Sequence, residues 1–219
     1  MPCPIFTPYM TQQISICGEA WILLPERAVW WPTEKALLIA DVHWGKGGHF
    51  RKHGIAIPSA TQNADAARLS GIIAQYAPER LIIAGDLFHS RHNAEVEAFA
   101  QWRATHQNLH IDFVLGNHDA YTTAHHERFG LCVHPESLAI GPFLIVHDDA
   151  VTREGLHTIH GHLHPGVRVP GAGMFPAFCI GERVSILPAF GQFTGCARVD
   201  PRTYREVFVV GDGKVMRVK

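Results

Sequence analysis

Short apolar runs that end at glycine or polar residues are the main pattern in this chain. Two segments between these runs predict helices: Thr61 to Tyr76 carries apolar residues at the helical i, i+3, i+4, i+7 spacing, and Asn93 to about His106 repeats this more weakly. Five of the runs predict buried strands, since they are brief and bounded by turn or polar residues: Ala36–Ala40, Leu81–Ala84, Ile111–Leu115, Phe143–Val146 and Leu156–Ile159.

The order strand, helix, strand, helix, strand predicts βαβ units with parallel strands. From Val167 onward the chain is rich in glycine, proline and β-forming residues. This part predicts strands such as Arg183–Leu187 and Arg205–Val210, and no helix. We therefore expect an α/β fold in which a second sheet packs on the first with helices outside, in a single domain that spans residues 1–219.

The composition fits a protein with a sizeable core and no extended charged surface. Of the 219 residues, 47% are apolar and 18% are charged, with a net charge of -1. This balance gives no sign of a basic nucleic-acid wrapper or an acidic tail. If the substrate is a nucleic acid, its attraction must be local or supplied by bound metal.

The cysteines and the chain start bear on the compartment. The five cysteines are scattered and form no CxxC pair, so neither a disulfide framework nor a thiolate zinc site is expected, and a reducing cytoplasm fits better. The start of the chain has no charged n-region and no long apolar stretch, so we expect no signal peptide. No window approaches the ~18 apolar residues of a membrane span, so we expect a protein that does not enter a membrane.

Metal-capable side chains follow every one of the five predicted strands. In open α/β sheets, ligands bind outside the carboxyl ends of strands, so these side chains can converge on one site. A buried cluster of carboxylates and imidazoles is costly without a cation to neutralise it. The chain has 16 histidines, and the side chains predicted to bind metal are Asp41, His43, Asp86, Asn117, His147, His162 and His164.

The ligand types narrow the choice of metal. Carboxylate, imidazole and amide oxygen suit divalent Mn, Fe or Zn, and do not suit Cu(I) or an iron–sulfur cluster. Seven ligands are too many for one tetrahedral ion, so we predict two divalent ions that share a carboxylate. We expect these ions to be Mn²⁺, with Fe and Zn as the other choices. Two such ions lower the pKa of a bound water, and the resulting hydroxide can attack phosphorus.

The motifs resemble those of the calcineurin-like metallophosphoesterase superfamily, which run DxH, GDxxDR, GNH(D/E), a lone His, then GHxH. The resemblance spans about residues 36 to 165. It implies a sandwich of two mixed β-sheets flanked by helices, and it makes His118 the catalytic histidine. It also implies that one metal binds Asp41, His43 and His164, that the other binds Asn117, His147 and His162, and that Asp86 bridges them.

The second motif departs from the superfamily pattern. It reads Gly-Asp-Leu-Phe-His-Ser, so His89 and Ser90 stand where the superfamily usually has Asp and Arg. That Asp often orients the catalytic histidine. Here Asp119 is one candidate for that task, while His89 is either a substrate-binding residue or a solvated loop residue.

A narrower resemblance covers nearly the whole chain. The segments Ala40–Lys46, Phe50–Arg51, Gly54–Pro58, Gly85–Ser90 and Leu187–Gly195 look like the PdeM family of bacterial metallophosphoesterases. These are described as ligase-associated DNA damage response endonucleases. The resemblance implies an endonuclease that acts on DNA in repair, with DNA ligase and helicase repair proteins as partners.

Residues beside the predicted metal site are candidates for substrate binding. Lys46 and Arg51 follow the DxH motif directly and can clamp a phosphate, or they can belong to a solvated loop. The aromatic residues Trp44, Phe50 and Phe193 can stack on unpaired bases or pack in the core.

Two other functions are compatible with the same motifs. One is a phosphomonoesterase that acts on a nucleotide, small molecule or phosphoprotein. The other is a scaffold that keeps the fold and has lost catalysis, and the presence of all seven predicted ligands and His118 argues against it.

Overall fold

The computed structural model describes residues 10–44, 64–88, 93–119, 128–148 and 151–219. Sixteen strands and two α-helices lie in these ranges. The helices are α1 (Ala64–Tyr76) and α2 (Asn93–Thr105), and a single turn of 3-10 helix covers Pro201–Thr203. The seven strands of the first sheet are β1 (Gln12–Ile16), β2 (Glu19–Leu24), β3 (Ala28–Trp31), β4 (Ala36–Ala40), β5 (Arg80–Ala84), β6 (His110–Val114) and β7 (Cys132–His134).

The first sheet is mixed. Its strands lie in chain order, β1 to β4 pair antiparallel as a meander, and β4 to β7 pair parallel. The parallel half carries α1 and α2 in its crossovers, as the strand–helix alternation of the sequence predicts. Strands β4, β5 and β6 are buried on both faces, which explains their nearly continuous apolar sequences.

The second sheet is also mixed and has nine strands. They are β8 (Ser137–Ile140), β9 (Phe143–Val146), β10 (His157–His160), β11 (Pro165–Val169), β12 (Gly173–Ile180), β13 (Val184–Ile186), β14 (Ala197–Arg198), β15 (Glu206–Gly211) and β16 (Lys214–Arg217). Their order in the sheet is β14-β11-β12-β13-β10-β9-β8, and β15 pairs with both β12 and β16. Strands β9, β10 and β13 run parallel, and most other pairs are antiparallel.

Alternating side chains divide the core into layers. Trp21 and Leu38 of the first sheet face Phe143 and Phe178 of the second, and the rings of Trp21 and Phe143 lie 4.8 Å apart between centroids. The other face of the first sheet packs against α1 and α2 through residues such as Phe99. Each such side chain contributes about 1.5–3 kcal/mol by burial, so the two layers hold the strands in fixed register.

The fold predicted from the sequence is confirmed, with changes in detail. The two mixed sheets are present, and both described α-helices lie on the first sheet. The predicted strands at Leu156–Ile159 and Ile111–Leu115 are each shifted by one residue, and the first three residues of the helix predicted from Thr61 lie outside the described residues. The meander β1 to β3 was not among the predicted strands, because half-buried strands with mixed patterns give a weaker signal than continuous apolar runs.

Candidate metal centre

The carboxyl ends of five strands meet at one edge where the two sheets face each other. Asp41 follows β4, Asp86 follows β5 and Asn117 follows β6 in the first sheet, while His147 follows β9 and His162 follows β10 in the second. Backbone hydrogen bonds tie these ends together. The Asp41 N–H donates to the Gly85 carbonyl at 3.2 Å, and the Gly161 N–H donates to the His147 carbonyl at 3.2 Å. The parallel pairing of the strands therefore brings the predicted ligands together.

The backbone at these strand ends adopts a left-handed conformation that residues other than glycine rarely adopt. Ten non-glycine residues have positive φ in the described ranges, and half of them are predicted ligands. Such residues cost on the order of 1–3 kcal/mol each and cluster at functional sites. The five are Asp41 (φ 49°), His43 (φ 46°), Asp86 (φ 48°), His162 (φ 62°) and His164 (φ 46°). The sharp turns aim consecutive motif residues at a common point.

A first group of ligand atoms comes from Asp41, His43 and His164, whose donor atoms lie within 4.8 Å of one another. The Nε2 atoms of His43 and His164 are 3.3 Å apart, and His164 Nε2 is 3.5 Å from Asp41 Oδ1. Two donor atoms that each lie about 2.1 Å from one ion are roughly 3.0–3.4 Å apart in octahedral or tetrahedral geometry. The observed spacing fits a single cation between the three side chains.

A second group surrounds His147. Its Nε2 atom lies 3.0 Å from Asn117 Oδ1, 3.1 Å from His162 Nδ1 and 3.5 Å from Asp86 Oδ1. These separations again match donors that share one ion. Imidazole nitrogen with amide and carboxylate oxygen is a donor set for a divalent metal of borderline hardness.

Asp86 connects the two groups. Its Oδ1 atom faces His147, while its Oδ2 atom lies 3.7 Å from His43 Nε2 in the first group. Asp86 and Asp41 are almost fully buried, at 3% and 0% exposure. Two buried carboxylates so close together repel each other unless cations lie between them, and the donor set therefore fits two divalent ions.

The sides of the site differ in exposure. Asp41, His43, Asp86 and His147 are buried, whereas Asn117, His118 and His162 are exposed. A cavity of about 400 Å³ opens beside Asn117 and His147 and is lined further by Leu115, Pro135, Glu136, Val146, Asp148 and Val151. A substrate can therefore approach the ligand atoms from this open side.

Comparison with known proteins gives the family. The family model for calcineurin-like phosphoesterases matches residues 35–176. The chain also superposes on the crystal structure of nuclease MPE from Pseudomonas putida with a TM-score of 0.80 and 33% sequence identity, over 95% of this chain and 100% of that one. The chain belongs to the calcineurin-like phosphoesterase family. None of the curated protein sequences compared with it gives a significant match.

Family membership makes this chain a metal-dependent phosphoesterase, a hydrolase of phosphoric esters. The superfamily resemblance seen in the motifs is thereby confirmed. No helix in the described ranges of this phosphoesterase is long and apolar enough to cross a membrane.

His118 of this phosphoesterase is held beside both ligand groups. Its backbone N–H donates to Asp86 Oδ1 at 3.1 Å, and its Nε2 atom lies 3.9 Å from Asp86 Oδ2. Its ring also contacts the edge of the His43 ring, with 5.6 Å between centroids. The side chain keeps 47% of its surface exposed, so the imidazole can reach a bound phosphate.

Asp119 has a structural task that its sequence position did not reveal. Its buried carboxylate accepts hydrogen bonds from the backbone N–H groups of Gly116 at 2.9 Å, Phe88 at 3.2 Å and Leu87 at 3.4 Å. Burial raises the pKa of Asp119 to about 7, and these N–H groups act in the opposite direction. The carboxylate thus joins the loops that carry Asp86 and Asn117.

Other predictions concern residues around the site. Lys46, Arg51 and His89, predicted to bind substrate, lie outside the described residues, as does Phe50. Trp44 is buried at 5% exposure against Phe99 and Trp102. Of the two alternatives for Trp44, packing in the core is therefore confirmed.

Gly161 allows the two sheets to approach within the site. A Cβ atom at this position would lie 2.3 Å from Asp41 Oδ2 and 2.7 Å from the Cβ atom of Ala40. The next residue, His162, donates its N–H to both Asp41 oxygens, at 2.9 and 3.1 Å. Glycine therefore lets the second sheet orient a carboxylate of the first.

We expect Gly161→Ala to displace the Asp41 carboxylate. Metal affinity and phosphoesterase rate should then fall by about 10- to 100-fold, which is the usual effect of losing a residue that orients a metal ligand. Metal content per chain and initial rates measure this. Gly71→Ala is the control, because nothing lies within 4 Å of a Cβ there and alanine favours the helix by about 0.5–1 kcal/mol. Unchanged metal content in Gly161→Ala would contradict the role assigned to Asp41.

Proposed function

We propose that the chain is a binuclear metal-dependent phosphodiesterase that acts as an endonuclease on DNA, with residues 1–219 forming one domain. The observation that carries the proposal is the pair of ligand groups joined at the buried Asp86 carboxylate. Asp41, His43 and His164 would hold one ion, Asn117, His147 and His162 would hold the other, and Asp86 would be shared between them. Manganese is the proposed metal, with iron and zinc as the other choices that the donors accept.

Two bound cations supply charge neutralisation for the phosphate oxygens and an acidified water as nucleophile. The chain's own residues set the geometry. The His162 N–H fixes Asp41, and the Asp119 carboxylate fixes the backbone directly after Asp86 and directly before Asn117. No side chain of the centre then has to reorganise as charge develops on the substrate.

His118 is proposed as the catalytic histidine. Its exposed imidazole lies next to Asp86 and His43, on the open side of the centre. In its protonated form Nε2 can donate a hydrogen bond to a phosphate oxygen, or a proton to the leaving oxygen. The substrate is held between His118 and the two ligand groups.

Several observations support a diester, and DNA in particular, as substrate. The cavity beside Asn117 and His147 leaves room for a group attached to the phosphate. Strand β11 starts directly after His164 and carries the exposed Arg168 about 13 Å further on, at ~3.3 Å per residue. Exposed positive charge at this distance can hold a phosphate further along a polynucleotide. The similar structure is that of a nuclease.

The cellular role is proposed from the PdeM resemblance. We infer that the substrate is DNA under repair, and that DNA ligase and helicase repair proteins are partners. Lys46, Arg51 and His89 remain predicted substrate-binding residues.

The substrate class is tested by titrating metal-free protein with manganese. We expect cleavage of bis(p-nitrophenyl) phosphate and nicking of covalently closed circular DNA, single- or double-stranded, which offers no ends to an exonuclease. Reactions with p-nitrophenyl phosphate run in parallel, and the Asp86→Asn protein controls for contaminating nucleases. Cleavage of the monoester alone would replace the endonuclease by a phosphomonoesterase.

A further inference from the structure

A second cluster of potential ligands lies on the first sheet, away from the catalytic centre. His110 and Asp112 are two residues apart on β6, and Cys132 and His134 are two residues apart on β7. Side chains at i and i+2 of a strand share a face. Asp112 and Cys132 are also direct partners in the parallel pairing of the two strands, so the four side chains form one patch on one face of the first sheet.

The donor atoms of three of these residues converge. Those of His110, Asp112 and Cys132 all lie within 4.8 Å of one another, and His110 Nε2 is 3.1 Å from Asp112 Oδ2. His134 approaches the same carboxylate from the other side, with its Nε2 atom 2.7 Å from Asp112 Oδ1. His134 thus fixes the carboxylate so that Oδ2 points towards His110 and Cys132.

Burial and exposure are divided as a metal site requires. Asp112 is only 2% exposed, and its Oδ2 atom lacks an aligned hydrogen bond among the described residues, although Arg80 Nε lies 2.8 Å away. Cys132 and His110 are exposed at the sheet edge. An ion from solvent can therefore reach the donors, while the anchoring carboxylate stays fixed.

We propose that His110, Asp112 and Cys132 bind a Zn²⁺ ion, with His134 positioning Asp112. Thiolate, imidazole and carboxylate together select zinc over manganese or magnesium. Three protein ligands leave the fourth tetrahedral position to water. The sequence-based expectation of no thiolate zinc site rested on scattered cysteines, odd in number and without a CxxC pair. The proposed site instead combines one cysteine of β7 with a histidine and a carboxylate of the neighbouring strand β6.

The proposed ion must compete with charges already present. Arg80 reaches the carboxylate from β5, so the alternative is that Asp112 only balances Arg80 and the two histidines. Desolvation raises the pKa of the Cys132 thiol above its ordinary value, and the neighbouring Asp112 charge adds a smaller effect in the same direction. The metal-free thiol is therefore protonated at neutral pH, and binding of Zn²⁺ forms the Zn–S bond as the S–H proton passes to solvent.

The ion would link a weak edge strand to the catalytic loop. Strand β7 has three residues and closes the first sheet. The carbonyl of its last residue, His134, accepts a hydrogen bond at 3.0 Å from the N–H of Leu115, two residues before Asn117. A zinc ion that holds β7 on β6 stabilises this connection.

Cobalt substitution separates this site from the catalytic centre, because a thiolate bound to Co²⁺ gives an intense near-ultraviolet charge-transfer band and the predicted catalytic ligands include no sulfur. We expect metal-free protein titrated with Co²⁺ to show the band at micromolar metal, and Zn²⁺ to displace it. Cys132→Ser should lose the band and one bound zinc per chain. His110→Ala should weaken zinc binding at least about 10-fold.

Cys17→Ser is the matched control and should keep the band, since Cys17 is also exposed but lies between β1 and β2, away from Asp112. A band absent from folded wild-type protein, retained in Cys132→Ser, or seen only at millimolar cobalt would overturn the proposal. All of these outcomes are independent of whether the catalytic centre cleaves DNA.

Discussion

Asp86→Asn is expected to lose one of the two bound metal ions and nearly all phosphodiesterase activity. Asparagine has the same shape but offers one neutral oxygen where Asp86 presents Oδ1 to His147 and Oδ2 to His43. The change removes the anion that separates two cations. Loss of a ligand that bridges both ions should exceed the roughly 10- to 100-fold effect of removing an orienting partner.

The measurements are metal content by mass spectrometry and the hydrolysis rate of bis(p-nitrophenyl) phosphate. Asp212→Asn is the matched control, because Asp212 is exposed and has φ 51°, close to the 48° of Asp86. Asparagine then replaces aspartate at nearly the same backbone φ angle in both variants, and only Asp86 lies among the predicted metal ligands. Wild-type turnover with two ions in Asp86→Asn would exclude the binuclear arrangement.

His118→Ala is expected to keep both ions and lose rate. His118 belongs to neither ligand group, and its imidazole stands on the exposed side of Asp86. Removing a proton donor of this kind typically costs about 10²- to 10⁴-fold. The loss should appear in kcat.

His106→Ala serves as the control for His118→Ala, since His106 stacks on Trp102 beside α2, apart from the predicted ligands. Its rate and metal content should match those of the unmodified protein. If His118→Ala instead released metal, the residue would be a ligand and the assignment of catalysis to it would fail.

The sequence predicts most of what positions the centre. Continuous apolar runs mark β4, β5 and β9 because both faces of these strands are buried, and each run ends directly at a motif residue. The seven predicted ligands therefore meet in the structure. Their assignment to ions is a proposal that the described distances support.

Other features depend on contacts between distant segments, which a local pattern does not encode. Asp119 follows His118 in the chain, yet its carboxylate bonds to the backbone of Leu87 and Phe88 on another loop. Trp44 follows the DxH motif, but its ring fits between Phe99 and Trp102 of α2. The patch around Asp112 arises because β6 pairs with β7, which brings together residues that lie about twenty positions apart in the sequence.

The positive φ angles at the strand ends limit how this centre can be transferred to another protein. Grafting the seven side chains onto the strand ends of an idealised scaffold would place them on extended backbone, where they diverge. A designer would need to copy the left-handed turns at Asp41, His43, Asp86, His162 and His164 together with the side chains. The close approach at Gly161 would have to be copied as well. What must be transplanted is a backbone path, and the ligand identities come second.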